Sequence, residues 1–311
     1  MVTSAVSAES FEADRKMLWG LCYRMTGCAA DADDLVQETF VRALEDPPED
    51  LERPLRPWLV RVAMNLSRDC LRRRRRRGYV GPWLPSPVPT EEAQVLPSYE
   101  PRQSSDANPM ARYEMLESIS FAFLLALEAL SPSQRAVLLL REVFDYSTAE
   151  AAAALAITES SLKVLLHRGR RKMQEYDKSP AGLTALKSEN TRKALEQFLL
   201  YFQEHNIEGL ERLLKEDAVL VSDGGGEVLA ARNVISGRQN VLKLIFGLAK
   251  KVSGKVRVSF KLFNGLPALL IEGPQSDPNF ATRYTLHCEV NDSACIEKLN
   301  MVVAPSKLTS V

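Results

Sequence analysis

Two stretches of this sequence carry positive charge in a pattern suited to nucleic acid. In WLVRVAMNLSRDCLRRRRRR, Trp58, Arg61, Asn65 and Arg68 fall at helical spacing before six consecutive arginines, Arg72 to Arg77. Guanidinium groups hold phosphates, and an asparagine beside a loop has the donor and acceptor needed to read an unstacked base. In TESSLKVLLHRGRRK, the face of Ser160, Ser161, Lys163, Val164, His167 and Arg168 continues into Arg170, Arg171 and Lys172. Small polar residues can approach base edges there, and the cations beyond them hold phosphates or read guanine. Asp33, Asp34, Gln37, Glu38 and Arg42 form a third, acidic-polar face, which is either a solvated helix face or a docking surface for a basic partner. The candidate acid-base groups are His205, Asp223, His287 and Glu289, and they form no convincing catalytic pair. His287, in strand TLHCEV, reads better as a satisfied core or rim residue.

The elements that hold these residues follow from periodicity. Phe11 to Thr26 and Asp31 to Glu45 are amphipathic helices separated by Gly27, and a third begins at Trp58 after the Pro-rich loop EDPPEDLERPLRP. Ala111 to Leu130 reads as one helix with Met115, Ile119, Phe123, Leu124 and Leu127 inward. Ser147 with Glu150 makes a capping box, Ala156 and Ile157 make a tight turn, and Thr158 caps the last helix. That is a helix-turn-helix, whose second helix is the one that reads DNA.

Composition sets bounds. The 311 residues suit two or three domains. Net charge is zero, and residues 1–178 hold 24 basic against 26 acidic side chains, so positive charge is confined to the two stretches above. This argues against a bulk nucleic-acid binder, and a selective one that borrows affinity from a partner fits. Cys22, Cys28, Cys70, Cys288 and Cys295 form no CxxC pair, which suits small thiols in a reducing cytosol. With no signal-peptide pattern and no apolar run long enough to span a bilayer, the expected location is cytoplasmic.

Three patterns in order, DADDLVQETFVRAL, RPWLVRVAMNLSRDCLRR and LSPSQRAVLLLREVFDYSTAEAAAAL with the helix after it, closely resemble extracytoplasmic-function (ECF) sigma factors of bacteria. The resemblance implies two all-α sigma domains. Residues 1–77 would be region 2, binding core RNA polymerase through Asp33, Asp34, Gln37, Glu38 and Arg42. The same domain would open and read the −10 element with Trp58, Arg61, Asn65, Arg68, Arg72 and Arg73. Residues 111–177 would be region 4, reading the −35 element with Ser160, Ser161, Lys163, Val164, His167, Arg168 and Arg171. Core RNA polymerase and promoter DNA are the implied partners, and the mechanism needs no cofactor, metal or covalent chemistry.

Between them, residues 78–110 are rich in proline, serine and acid, and read as an extended tether. Trp83 and Leu84 stand out there: they dock onto another domain, or they form a local turn covering a domain edge. Residues 187–311 give helices first, then strands at Ala218 to Ser222 and Val228 to Ile235, and two hairpins turning at Asn264–Gly265 and Asn291–Asp292. The expected fold is an α+β cone.

That order resembles the SnoaL-like fold, and its place after a sigma factor resembles the sigma-J-like ECF subgroup. The subgroup carries WLPEP, DGGGK and NPDKL; this chain has WLPSP, DGGGE and APSKL, departing at Ser86, Glu227, Ala304 and Ser306. The resemblance implies regulation in cis, with Trp83, Leu84, Pro85, Asp223, Gly224, Gly225 and Gly226 at the contact, and leaves room for a small-molecule ligand of the cone. A ligand-sensing helix-turn-helix regulator and a fused SnoaL-type cyclase or isomerase are the alternatives.

Overall fold

The computed structural model describes residues 8–48, 54–90, 117–178, 184–250, 256–274 and 279–311. The chain divides into two compact units, one of residues 1–77 with 91–181 and one of residues 78–90 with 182–311.

The helical unit begins with α1 (Ala8–Thr26), α2 (Ala29–Glu45) and α3 (Arg56–Arg77). Their apolar stripes meet in a core that includes Leu18, Leu21, Met25, Leu35, Leu59 and Met64. Gly27 breaks α1 from α2 with φ 69°, a left-handed conformation that costs glycine little, while its N–H closes onto the Tyr23 carbonyl at 2.6 Å.

The single helix expected over 111–130 is not what the described part shows, residues 111–116 lying outside it. A 3-10 turn at Glu117–Ile119 is followed by α4 (Phe121–Ala126) and a second 3-10 turn at Leu127–Ala129. The physical reason is Ser120. Its backbone is extended (ψ 148°) and its hydroxyl accepts from the Phe123 N–H, so the chain restarts a helix there. Ile119, Phe123, Leu124 and Leu127 are still buried, which is why periodicity alone could not see the break.

Helices α5 (Pro132–Glu142), α6 (Thr148–Leu155) and α7 (Glu159–Lys178) complete this unit. Both α5 and α6 start in full capping boxes, Ser131 with Gln134 and Ser147 with Glu150. Ala156 ends α6 in the left-handed conformation, φ 51° and ψ 47°, and Thr158 caps α7 by accepting from the Ser161 N–H at 3.2 Å.

The second unit packs α8 (Ala185–Gln203), α9 (Ile207–Leu213) and α10 (Arg238–Ala249) on a six-stranded sheet. Its strands are β1 (Leu214–Asp223), β2 (Ile235–Ser236), β3 (Arg257–Phe263), β4 (Leu266–Glu272), β5 (Arg283–Val290) and β6 (Ile296–Val302). The order is β2-β1-β6-β5-β4-β3, antiparallel except where β1 runs parallel to β6. This is the expected α+β cone.

The strand expected from Val228 to Ile235 is reduced to Ile235–Ser236. The chain turns back at once, Glu227 N–H to Gly224 O, and the Leu229 N–H is taken by the Asn279 carbonyl, so neither joins a ladder with β1. The β3–β4 turn is the expected type I′, with φ 52° at Asn264 and 86° at Gly265. The β5–β6 connection is longer than the two-residue turn expected. The Asn291 side chain accepts from the N–H groups of Ser293 and Cys295, with Ala294 at φ 59°.

The sheet has two faces of different character. Leu220, Leu269, Leu286, Cys288, Leu299 and Met301 share a core with Leu195 and Phe198 of α8. The residues alternating with them, including Asp223, Thr285, His287 and Asn300, point to the other face and are also buried. No helix among the described residues is long and apolar enough to cross a membrane.

Candidate nucleic-acid interface

On α7, Ser160, Ser161, Lys163, Val164, His167, Arg168 and Arg171 are all exposed on one face, while Leu162, Leu166 and Met173 are buried on the other. The Thr158 hydroxyl, besides capping the helix, holds the Ser160 and Ser161 hydroxyls at 3.0 and 2.9 Å. The basic tract is smaller than the sequence suggested. Arg170 turns back to the buried Glu142, and Lys172 donates to the Ala129 carbonyl at 2.9 Å. Arg168 and Arg171 remain on the face, which is compatible with phosphate contact at the end of a reading helix.

On α3, the expected residues fare differently. Arg61 is exposed, yet its guanidinium donates to the Ala153 carbonyl of α6 at 3.1 Å. Trp58, Asn65 and Arg68 are half-buried. Arg68 reaches the Asn65 carbonyl oxygen at 3.3 Å and the Ser133 hydroxyl of α5 at 3.4 Å, and burial lowers its pKa from the usual guanidinium value. Arg72 and Arg73 are exposed, Arg72 pairing with Asp69 at 2.7 Å. The six-arginine run is not uniform: Arg74 donates to the Thr26 carbonyl (2.8 Å) and to Glu128 (2.7 Å), and Arg75 to the Leu130 carbonyl. Part of a face suited to bases and phosphates, Arg61 and Arg68, thus bonds to neighbouring helices of its own unit, while Arg72 and Arg73 stay exposed.

On α2, Asp33, Asp34, Gln37, Glu38 and Arg42 are exposed together. Trp19 of α1 fixes Asp33 with a 2.9 Å hydrogen bond, and Glu38 pairs with Arg42 one turn on at 2.9 Å. Val41 and Leu44 are exposed beside them, 44% and 63%, so the face offers apolar as well as charged contact.

The residues expected at an interdomain contact converge, and their partner is the linker itself. Residues 78–90 are not a free tether: they belong to the cone unit, and Leu84 to Val88 are buried. Asp223, fully buried, is the anchor. Its Oδ1 accepts from the Tyr79 hydroxyl (2.6 Å) and the Gly225 N–H (3.0 Å), and its Oδ2 from the Leu84 N–H (2.7 Å) and the Lys307 ammonium (2.7 Å). Lys307 also donates to the Leu84 carbonyl, with its Nζ 4.7 Å from the Tyr79 ring centre and 4.6 Å from that of Trp83. A buried ion pair is tolerable only when its remaining donors and acceptors are met, as they are here.

The glycine turn has a steric reason. A side chain at Gly224 would strike the Val228 carbonyl at 2.8 Å, and Gly225 and Gly226 sit at φ 60° and 80°. At the other end of the linker, Val88 exchanges hydrogen bonds with Asn264, Pro89 bridges Phe263, and the Thr90 hydroxyl donates to the Leu262 carbonyl. Leu84 and Val88 are four residues apart, roughly 14 Å extended. That is about the three strand spacings separating β1 from β4. Pro85, Ser86 and Pro87 therefore cross the sheet on the face away from its helices.

The departures at Glu227 and Ser306 fall on positions that touch each other. The Glu227 carboxylate accepts from the Ser306 N–H at 3.1 Å and from its hydroxyl at 2.5 Å. The pairing is one of a carboxylate with a hydroxyl and a backbone N–H.

The acid-base candidates are dispersed. Asp223 is occupied by the linker. His287 is buried against Thr285 Oγ1 (3.1 Å) and the Phe263 ring, and burial lowers its pKa to about 3, so the ring is neutral. Glu289 pairs with Lys298 at 3.2 Å and accepts from Asn300. His205 is exposed at the end of α8 beside Phe246.

Sequence reasoning missed Tyr79, Asn264 and Thr90 as linker contacts, and placed Lys307 only within a motif. It also missed Arg24, Glu128 and Arg135 inside the helical unit. Lys307 had a signal, as a cation in an apolar C-terminal segment; the others lacked one, because most of their partners are distant in sequence.

Comparisons with known proteins identify the two helical regions. Residues 11–77 match the family model described as Sigma-70 region 2, and residues 120–173 match that described as Sigma-70, region 4. The chain is 33% identical over 264 residues to the ECF RNA polymerase sigma factor SigG of Mycobacterium tuberculosis, covering 82% of this chain and 70% of that one. It is 29% identical over 249 residues to SigJ of the same species, covering 79% and 74%. The crystal structure of M. tuberculosis SigJ superposes with a TM-score of 0.67 at 24% identity, over 98% of this chain and 99% of that one, a likeness of fold.

Proposed function

Because this chain belongs to the ECF RNA polymerase sigma factors, which direct core polymerase to promoters, we propose that its cone controls that activity in cis by gripping the linker between the two sigma domains. The observation that carries this is Asp223 with Lys307: one buried ion pair, with four donors on the carboxylate, fixes the backbone of Leu84 from both sides. A linker held this way cannot lengthen freely, and the separation of regions 2 and 4 is what promoter reading requires.

In this reading α2 docks on the polymerase through Asp33, Asp34, Gln37, Glu38 and Arg42. Trp58, Arg61, Asn65, Arg68, Arg72 and Arg73 open and read the −10 element, holding an unstacked base and its phosphates against an unstacking cost of a few kcal/mol per step. The exposed face of α7 reads the −35 element. A small molecule acting on the cone would work by binding the gripped and released states unequally, since only differential affinity shifts such a balance. The neutral, buried His287 and the occupied Asp223 favour a structural role for the cone over turnover of a substrate.

The test is transcription from a promoter library by core polymerase with the full chain, with a chain ending at Tyr176, and with Asp223→Ala. The reading expects promoter-specific transcripts and an output that changes in the same direction in both altered chains. Identical output from all three removes the cone from regulation; no transcripts and no polymerase binding remove the site assignments.

A further inference from the structure

The helical unit holds region 2 and region 4 together through buried cations. Arg24 of α1, 1% exposed, donates to the Ser118 hydroxyl at 2.6 Å and lies under the Phe144 ring. Arg135 of α5, also 1% exposed, donates across to the Met25 carbonyl of α1 at 2.8 Å. Arg74 of α3 and Arg135 of α5 both end on Glu128, at 2.7 and 2.6 Å. Burial pushes the Glu128 carboxyl up, but Arg135 and Arg74 more than offset this and leave it below the usual carboxylate range. One carboxylate thus joins an arginine from each region.

The same packing engages part of one functional face and spares two. Arg61 and Arg68 of α3 are taken up by Ala153 of α6 and Ser133 of α5. The faces of α2 and α7 stay exposed.

We infer that Glu128 is the residue that keeps the free protein closed, in a form whose polymerase face and −35 face are available while Arg61, Asn65 and Arg68 of its −10 face are engaged within the unit. This rests on the site assignments proposed above. Distance supports it independently. Elements at −10 and −35 are about 25 base pairs apart, or roughly 85 Å at 3.4 Å per base pair. A compact unit of about 170 residues has a radius of gyration of only about 15 Å. The closed unit cannot read both elements at once. The order that follows is docking on polymerase first, then rupture at Glu128, then capture of the −10 strand.

Small-angle scattering of the full chain tests the clasp. Glu128→Ala and Arg74→Ala are compared with wild type and with the control Arg192→Ala, which breaks two surface pairs within α8. Helix content is followed by circular dichroism. The expected result is a radius of gyration larger by several ångströms in Glu128→Ala, a smaller rise in Arg74→Ala, and none in the control. The double variant should open no further than Glu128→Ala, because both act through one carboxylate. Should Glu128→Ala lose helix, Arg74→Ala decides, since it leaves the Arg135–Glu128 pair within region 4 intact. Unchanged dimensions in the folded variants overturn the inference. Transcription by Arg61→Ala is scored separately: full activity there, with an expanded Glu128→Ala, would mean that the clasp stands and the −10 assignment fails.

Discussion

The two units each bury a carboxylate that organises distant segments, and they do so differently. Asp223 in the cone is fully buried and meets four donors, three of them backbone or phenolic, with its cation between two aromatic rings. Glu128 in the helical unit keeps a side-chain exposure of 31% and meets arginines alone. Arginine pairs at a half-open edge can exchange for water or phosphate with little loss. A carboxylate ringed by backbone N–H groups has no equivalent escape, because its release would leave several buried groups unpaired. The comparison assigns the stable joint to the linker and cone, and the labile joint to the two sigma regions.

The largest effect should come from Asp223→Ala, which leaves the Lys307 ammonium buried without its counter-ion. Urea unfolding should show a loss of about 3–5 kcal/mol in the cone unit. Glu128→Gln should cost about 1–3 kcal/mol in the helical unit, because solvent screens a partly exposed pair. Equal losses would break the distinction between a stable and a labile joint.

Acid should sharpen it next. His287 has a folded pKa of about 3 against 6.5 for the free side chain. Between those values the unfolded chain binds a proton that the folded cone refuses, so stability falls as pH falls. From pH 6.5 to 5 the loss is about 2 kcal/mol, at 1.36 kcal/mol per pH unit. His287→Gln should flatten that slope.

The smallest effect concerns the Glu227–Ser306 contact. Ser306→Ala should cost about 1 kcal/mol or less, since the pair is exposed. Glu227→Lys combined with Ser306→Asp should lose less than the sum of the two single variants in a double-variant cycle. Additive losses would show that the two positions do not act as a pair.

Much of this was legible in advance where local chemistry decides. The capping box at Ser147, the N-cap at Thr158, the outward face of α7 and the Asn264–Gly265 turn all depend on residues within a few positions of one another, and all formed as the spacing required. The helix expected through Ser120 and the strand expected from Val228 failed for one reason: a serine cap and an early turn at Gly224 redirect backbone donors without disturbing the apolar period. The arginine run misled for the opposite reason, since a sequence shows charge but not which charges are already spent.

By itself the sequence determined the order of helices and strands, the helix-turn-helix, the exposed polar face of α2, and the family resemblance, because these follow from periodicity and from motifs contiguous in the chain. Only the tertiary structure decided that the linker lies across the sheet, that Asp223 and Lys307 hold it, and that Glu128 gathers Arg74 and Arg135. Those contacts join residues 7 to 223 positions apart, and which charges meet across such separations depends on how apolar cores bring the segments together.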